Sequence, residues 1–141
     1  MIKYTEKLRD QIEEYFKSLI KIEFNYETNQ FEVYPMTLES NLNKKLGWIC
    51  AWFITKLSTL KNKNEEALFI REIGSFIEKS LNEYYKYPEY RLGQAFFNTL
   101  ALSTNFKKYV EELTACEADC FYDDDKISLF LDKLWENINE V

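Results

Sequence analysis

The densest group of chemically active side chains lies in residues 116–135, CEADCFYDDDKISLFLDKLW, which contain two of the three cysteines and four closely spaced aspartates. Such carboxylates and thiolates could bind a metal ion, or the aspartates could cap a helix. An aspartate before a helix accepts hydrogen bonds from the first-turn N–H groups, and its charge suits the positive end of the helix dipole. Asp123, Asp124 and Asp125 directly precede a helical apolar pattern of Ile127, Phe130, Leu131, Leu134 and Ile138. We therefore interpret the cluster as the start of a helix.

The spacing within this cluster is not typical of a metal site. A calcium-binding loop needs a glycine in its middle and a glutamate at its twelfth position, and no frame of the cluster supplies them. Cys116 and Cys120 would leave zinc only Asp119 and Glu117 to complete its four ligands. The sequence therefore predicts neither a metal site nor a cofactor, and it favours Cys120 as a free, surface-reactive thiol. Weak binding of Mg²⁺ by two carboxylates remains open.

The composition also argues against most kinds of catalysis. The chain has no histidine, which removes serine–histidine and cysteine–histidine nucleophile pairs and most zinc and iron sites. It has no phosphate-binding glycine motif. The adjacent glutamates at positions 13–14, 65–66 and 111–112 would point about 100° apart on a helix, so none of the three pairs makes an acid/base dyad by its sequence position. We predict that the protein is not an enzyme and has no catalytic residue; a carboxylate enzyme that uses Mg²⁺ is the alternative.

The net charge of −6 is unevenly distributed along the chain. Residues 1–70 are neutral overall, and within residues 111–141 ten acidic side chains face only Lys126 and Lys133. This distribution disfavours direct binding to nucleic acid, whose affinity for proteins depends on cationic contacts. It favours instead a protein partner with a basic surface.

Other features predict a cytoplasmic location. Met1 is followed by a charged amphipathic stretch, so we expect no secretory signal. The longest apolar run, LGWICAWFI at 46–54, is about half of the roughly 20 residues that a membrane span needs, so we expect no membrane association. The odd number of cysteines fits reduced thiols in a cytoplasm.

The hydrophobic periodicity predicts one domain over residues 1–141, a mainly α helical bundle of five or six helices with one β-hairpin inserted after the first helix. Residues 3–19 have a helical apolar face, and residues 20–34 alternate like a hairpin that turns near Thr28-Asn29 and ends at Pro35. The later helices are predicted to begin at Thr37, at Asn64, at Pro88 as the first helical residue, and at Thr104 or Asn105.

Candidate partner-binding residues come from the tyrosines and the acidic segment. The stretch YYKYPEY at 84–90 is dense in tyrosine, which is enriched at protein interfaces, although a packed corner would look the same. The candidates are Tyr84, Tyr85, Tyr87, Tyr90, Glu117, Asp123 and Asp124.

The last third of the chain resembles a pattern that recurs in small uncharacterised bacterial and phage proteins. The pattern joins YPEYRLGQAFFNTL at 87–100 to DCFYDDDKISLFLDKL at 119–134, with Cys120 where a small residue or proline is usual. This resemblance implies no activity. In physical terms, Gly93 would permit close approach of a helix, and Arg91 and Gln94 could bind the turn at 119–122, with Arg91 and Asp119 as a candidate structural pair.

These observations favour a small acidic intracellular protein that acts through protein–protein contact, as an inhibitor, immunity-type protein or regulatory accessory factor, encoded by a phage or mobile element. One alternative is an acidic decoy that imitates nucleic acid, and the Mg²⁺-dependent enzyme is another. A purely structural homodimer, with hairpins joined edge to edge, is a further alternative. The 24 aromatic residues exceed what one bundle core needs, so we also expect a homodimer.

Overall fold

The computed structural model describes residues 5–114 and 116–139. The chain is mainly α-helical with one β-hairpin after the first helix, which confirms the predicted fold class. The elements are α1 (Glu6–Tyr15), β1 (Ile20–Asn25), β2 (Gln30–Pro35), α2 (Ser40–Ser58), α3 (Lys63–Lys86), α4 (Leu92–Leu102), a 3-10 turn (Lys107–Tyr109) leading into α5 (Val110–Leu113), and a 3-10 turn (Asp124–Lys126) leading into α6 (Ile127–Asn139). The chain divides into two compact units, residues 1–78 and 79–141, whose boundary falls within α3. The prediction of a single domain stays a prediction.

The first helix ends earlier than its apolar pattern predicts. The pattern continues to Leu19, but α1 ends at Tyr15. Lys17 and Ser18 adopt left-handed backbone angles, with φ of 57° and 58°, which no α-helix can contain. These two residues turn the chain from α1 into β1.

The hairpin buries one face and covers part of its edge. Ile20 and Ile22 are buried, while Asn29 adopts φ 59° in the turn, as the predicted turn near Thr28-Asn29 requires. Ile22 pairs with Val33 in the register of the two strands. Glu13 of α1 accepts a hydrogen bond of 2.7 Å from the Ile22 N–H. The outer edge of β1 is therefore occupied at this residue.

Four helix starts differ from the predicted ones. The helix predicted from Thr37 begins at Ser40, because the Thr37 N–H and hydroxyl bind the Asn43 side chain instead (2.9 and 2.5 Å). The helix predicted from Asn64 begins at Lys63. Its cap is Asn62, whose side chain accepts a hydrogen bond from the Glu65 N–H at 2.8 Å.

The helix predicted from Pro88 begins later, at Leu92. Pro88 lies in a turn closed by a 3.0 Å hydrogen bond from the Tyr90 N–H to the Tyr87 carbonyl. The short helix predicted to be capped by Thr104 or Asn105 instead follows a 3-10 turn that begins at Lys107 and has no side-chain cap. Before that turn, the Ser103 hydroxyl accepts a hydrogen bond from the Asn105 N–H at 3.3 Å. The helix there is short: the 3-10 turn and α5 together cover only 107–113.

Within the described residues, no helix combines the length and the apolar character needed to cross a membrane. The predicted cytoplasmic location stays a prediction.

The core of residues 1–78 contains close aromatic contacts and a tightly packed glycine. The Phe53 ring lies 4.9 Å from that of Phe69 and 6.3 Å from that of Phe16, measured between centroids. Gly74 of α3 faces the ring of Tyr15, and a Cβ atom added there would collide with that ring. Gly47 of α2 differs, since a Cβ atom there would meet its nearest neighbour, Pro35 Cγ, at 3.4 Å.

We predict opposite effects of alanine at these two helical glycines. Gly47→Ala should raise the free energy of unfolding by up to about 1 kcal/mol, because alanine is the better helix former. Gly74→Ala should lower it by about 1–3 kcal/mol, because the Tyr15 ring must move. Urea denaturation of both variants measures the difference. Equal effects of the two substitutions would show that Tyr15 does not press on α3.

Candidate functional site

The acidic turn, residues 116–126, is stabilised by hydrogen bonds between residues close in the chain. The Asp119 N–H donates to the Cys116 carbonyl at 3.1 Å, and the Asp119 carboxylate accepts from the Phe121 N–H at 2.9 Å. The Asp123 carboxylate accepts from the Asp125 N–H at 3.0 Å, which caps the 3-10 turn before α6. The predicted capping role of the aspartates is therefore confirmed for Asp123.

The acidic turn is bonded to the first residues of α4 at what we call the Gly93 joint, formed by residues 91–93 and 120–124. The Gly93 N–H donates to the Asp124 carboxylate at 2.8 Å. The Cys120 thiol donates to the Gly93 carbonyl at 3.3 Å, and the Arg91 guanidinium donates to the Phe121 carbonyl. The first N–H groups of a helix have no partner within it, so Asp124 caps a helix that begins 32 positions before it in the chain.

Only glycine fits at position 93. A Cβ atom there would collide with the Cys120 carbonyl oxygen and would lie 2.9 Å from an Asp124 carboxylate oxygen. A close approach at Gly93 is present as predicted, but the approaching segment is the acidic turn and not a helix. The predicted contact of Arg91 with the turn is confirmed at the Phe121 carbonyl. The constraint is steric, because no glycine of the described chain has a positive φ.

The joint buries the cysteine that we predicted to be reactive. Cys120 is fully buried, and this burial, aided by the negative charge of Asp119, raises the pKa of its thiol well above the ordinary value. The prediction of a surface-reactive Cys120 is therefore wrong. Burial likewise raises the pKa of Cys50 to about 12, whereas Cys116 is half-exposed.

Metal-binding side chains do not converge in the part of the chain that the structure describes. There, no three or more cysteine, aspartate and glutamate side chains are grouped so that they could hold a metal ion. The three cysteines are free thiols.

The four candidate tyrosines form two close pairs. The rings of Tyr84 and Tyr85 meet edge to face at 5.4 Å, and those of Tyr87 and Tyr90 lie 5.1 Å apart. Tyr85 is exposed, whereas the other three are half-buried. Among the acidic candidates, Glu117 and Asp123 are exposed, and Asp124 is half-buried in the joint.

The residue that the sequence reasoning missed is Tyr122. Its side chain is 82% exposed, although its ring contacts two other side chains. The Phe121 ring lies 4.7 Å away edge to face, and the Arg91 guanidinium carbon lies 5.7 Å from the centre of the Tyr122 ring. The sequence signal is the spacing of Arg91, Gly93 and the Phe121-Tyr122 pair, which predicts a structural contact between the two segments but not an exposed tyrosine.

A cleft of about 430 Å³ lies between α5 and α6, next to the acidic turn. Three glutamates, Glu112, Glu117 and Glu136, line it together with Lys133, Leu129 and Cys116. Glu117 is thus both a candidate partner-binding residue and part of a concave surface.

Comparison with known proteins assigns the chain to no family, because no family model, curated protein or solved structure matches it. The resemblance of residues 87–134 to small phage and bacterial proteins therefore stays a prediction.

Loss of the Asp124 carboxylate should destabilise the protein. Asp124→Ala leaves the partly buried Gly93 N–H without its acceptor, so we expect the free energy of unfolding to fall by about 1–3 kcal/mol. Asp125→Ala removes the same charge from an exposed side chain and should change it by no more than about 0.5 kcal/mol. Equal losses in urea denaturation would contradict the cap.

Only one of the three thiols should react in the folded protein. We expect iodoacetamide to alkylate Cys116, because Cys50 and Cys120 are buried and are not available as thiolates. Peptide mass spectrometry of native and urea-unfolded samples measures this. Alkylation of native Cys120 at the rate of Cys116 would show that the joint is open in solution.

Proposed function

We propose that the protein acts by binding another protein and not by catalysis, and that the contact is centred on Tyr122. The observation that carries this proposal is a tyrosine 82% exposed to solvent whose ring is nevertheless supported by Phe121 and Arg91. Tyrosine and arginine are among the residues that contribute most to protein–protein binding energy. We call Arg91, Tyr122 and Asp123 the Tyr122 surface.

The Gly93 joint supports this proposal because it orders the surface before a partner arrives. Arg91 is bonded to the Phe121 carbonyl, and the Phe121 ring packs edge to face on Phe97 of α4 at 5.7 Å. Side chains that are already ordered lose less conformational entropy on binding. A partner would therefore meet a rigid aromatic projection.

The charge around the surface supports a partner with a basic face. Asp123 and Glu117 are exposed, and the surrounding segment is strongly acidic. Complementary charge steers association and excludes wrong partners. An inhibitor, an immunity-type protein or a regulatory accessory factor would use such a surface. The alternative of a nucleic-acid-mimicking decoy would use the same negative charge, but an exposed tyrosine ring that contacts Phe121 and Arg91 favours contact with a protein.

The predicted homodimer stays a prediction, and we do not place it at the hairpin edge. Pairing of two β1 strands would displace Glu13 from the Ile22 N–H. The opposite strand, β2, contains Pro35, which has no N–H to donate. Both features discourage the addition of another strand.

Two tyrosines of nearly equal exposure, Tyr122 and Tyr26, provide a matched test. The photocrosslinking residue p-benzoylphenylalanine is placed at Tyr122 or at Tyr26, which is 80% exposed in the hairpin turn, and the protein is produced in its host. We expect one defined partner protein to crosslink at position 122 and not at position 26. With that partner purified, Tyr122→Ala should weaken binding by about tenfold, a typical loss for a central aromatic contact.

Tyr26→Ala is the control and should leave the affinity unchanged. The proposal is wrong if the two alanine variants weaken binding equally, or if the partner crosslinks equally at both positions.

A further inference from the structure

The cleft between α5 and α6 is lined by an exposed leucine together with acidic side chains. Leu129 is 43% exposed, unlike the apolar residues Ile127, Phe130 and Leu131 around it, which are buried. Leu129 therefore adds its side chain to the cleft and not to the core. Glu112 of α5 and Glu117 of the acidic turn line the same cleft.

The charges that line the cleft are not balanced. Its one ammonium group, Lys133, lies 3.6 Å from the Glu136 carboxylate and so is paired within α6. Neither Glu112 nor Glu117 forms an ion pair within residues 5–114 and 116–139. Two carboxylates thus bring uncompensated negative charge to a concave surface with an exposed leucine.

This combination selects a particular chemistry for the occupant. An anion would be repelled, and a wholly apolar group would leave the carboxylates without a partner. Arginine and lysine side chains have an apolar stem and a cationic head, and each can cover apolar surface while its head remains at a polar rim. Charge-assisted hydrogen bonds to carboxylates are about twice as strong as neutral ones.

We propose that the cleft receives an arginine or lysine side chain of the partner protein. The stem lies on Leu129, and the cationic head is held by Glu112 and Glu117. This inference rests on the proposed function, since it specifies what the partner must present beside the Tyr122 surface. It makes the acidic charge of this cleft a determinant of which partner binds.

A minimal probe tests the cleft without the partner. N-acetyl-arginine methylamide is titrated into the full-length protein labelled with ¹⁵N, and the amide shifts are followed by NMR. We expect the largest shifts at Leu129 and Lys133, and slower alkylation of Cys116, whose side chain also lines the cleft. The matching citrulline derivative has nearly the same shape without the charge and should produce neither effect. N-acetyl-lysine methylamide, whose side-chain amine stays free, shows whether an ammonium group serves as well.

Matched charge variants then locate the binding. The double variant Glu112→Gln/Glu117→Gln should weaken arginine-probe binding roughly fivefold, which corresponds to two solvent-exposed ion pairs. Glu14→Gln/Glu39→Gln removes the same charge from exposed positions of residues 1–78 and should leave the affinity unchanged. The inference is overturned if both double variants bind the probe equally, if citrulline binds as well as arginine, or if the shifts are scattered over the acidic surface.

The failure of this inference is distinguishable from failure of the proposed function. A partner whose binding depends on Tyr122 but not on Glu112 and Glu117 would refute the cleft and leave the function standing. Arginine binding in the cleft without a Tyr122-dependent partner would refute the function alone.

Discussion

The packing of residues 79–141 depends on one backbone contact, the approach of the acidic turn to Gly93. Since position 93 has no side chain, the Cys120 carbonyl can lie where a Cβ atom would otherwise be. That proximity brings Asp124 to the Gly93 N–H and the Cys120 thiol to the Gly93 carbonyl. It also leaves Tyr122 projecting from the turn beside Arg91. The exposed surface that we propose for binding is therefore a consequence of how α4 is capped.

Local patterns in the sequence predicted much of the fold, because helical and alternating periodicity depend on near neighbours. The hairpin and its turn at Asn29 follow from alternation and from the tolerance of asparagine for positive φ. The early end of α1 did not follow, since Lys17 and Ser18 have no sequence signal for a left-handed turn. The capping of α4 by Asp124 was equally hidden, because a local pattern assigns each aspartate to the helix that follows it.

In the candidate site, too, features set by near neighbours could be predicted from the sequence, and features set by distant contacts could not. The sequence predicted that the acidic cluster is structural in part, yet it named the wrong cysteine, Cys120, as reactive, because burial of that thiol depends on the distant Gly93. Tyr122 was missed for the same reason, since its support by Arg91 joins segments far apart in the chain. The acidic turn carries the exposed Tyr122, and its residues Cys116 and Glu117 also line the cleft next to α6.

Amide hydrogen exchange at Gly93 tests the central claim, that the acidic turn caps α4, most directly. As the second residue of α4, Gly93 has no acceptor within its own helix, so protection of its N–H must come from the Asp124 carboxylate. The account predicts slow exchange of the Gly93 amide in the wild-type protein and fast exchange in Asp124→Ala, with the amides in the middle of α4 protected in both. Exchange of the wild-type Gly93 amide at the rate of an unstructured peptide, or equal protection in the variant, would contradict it.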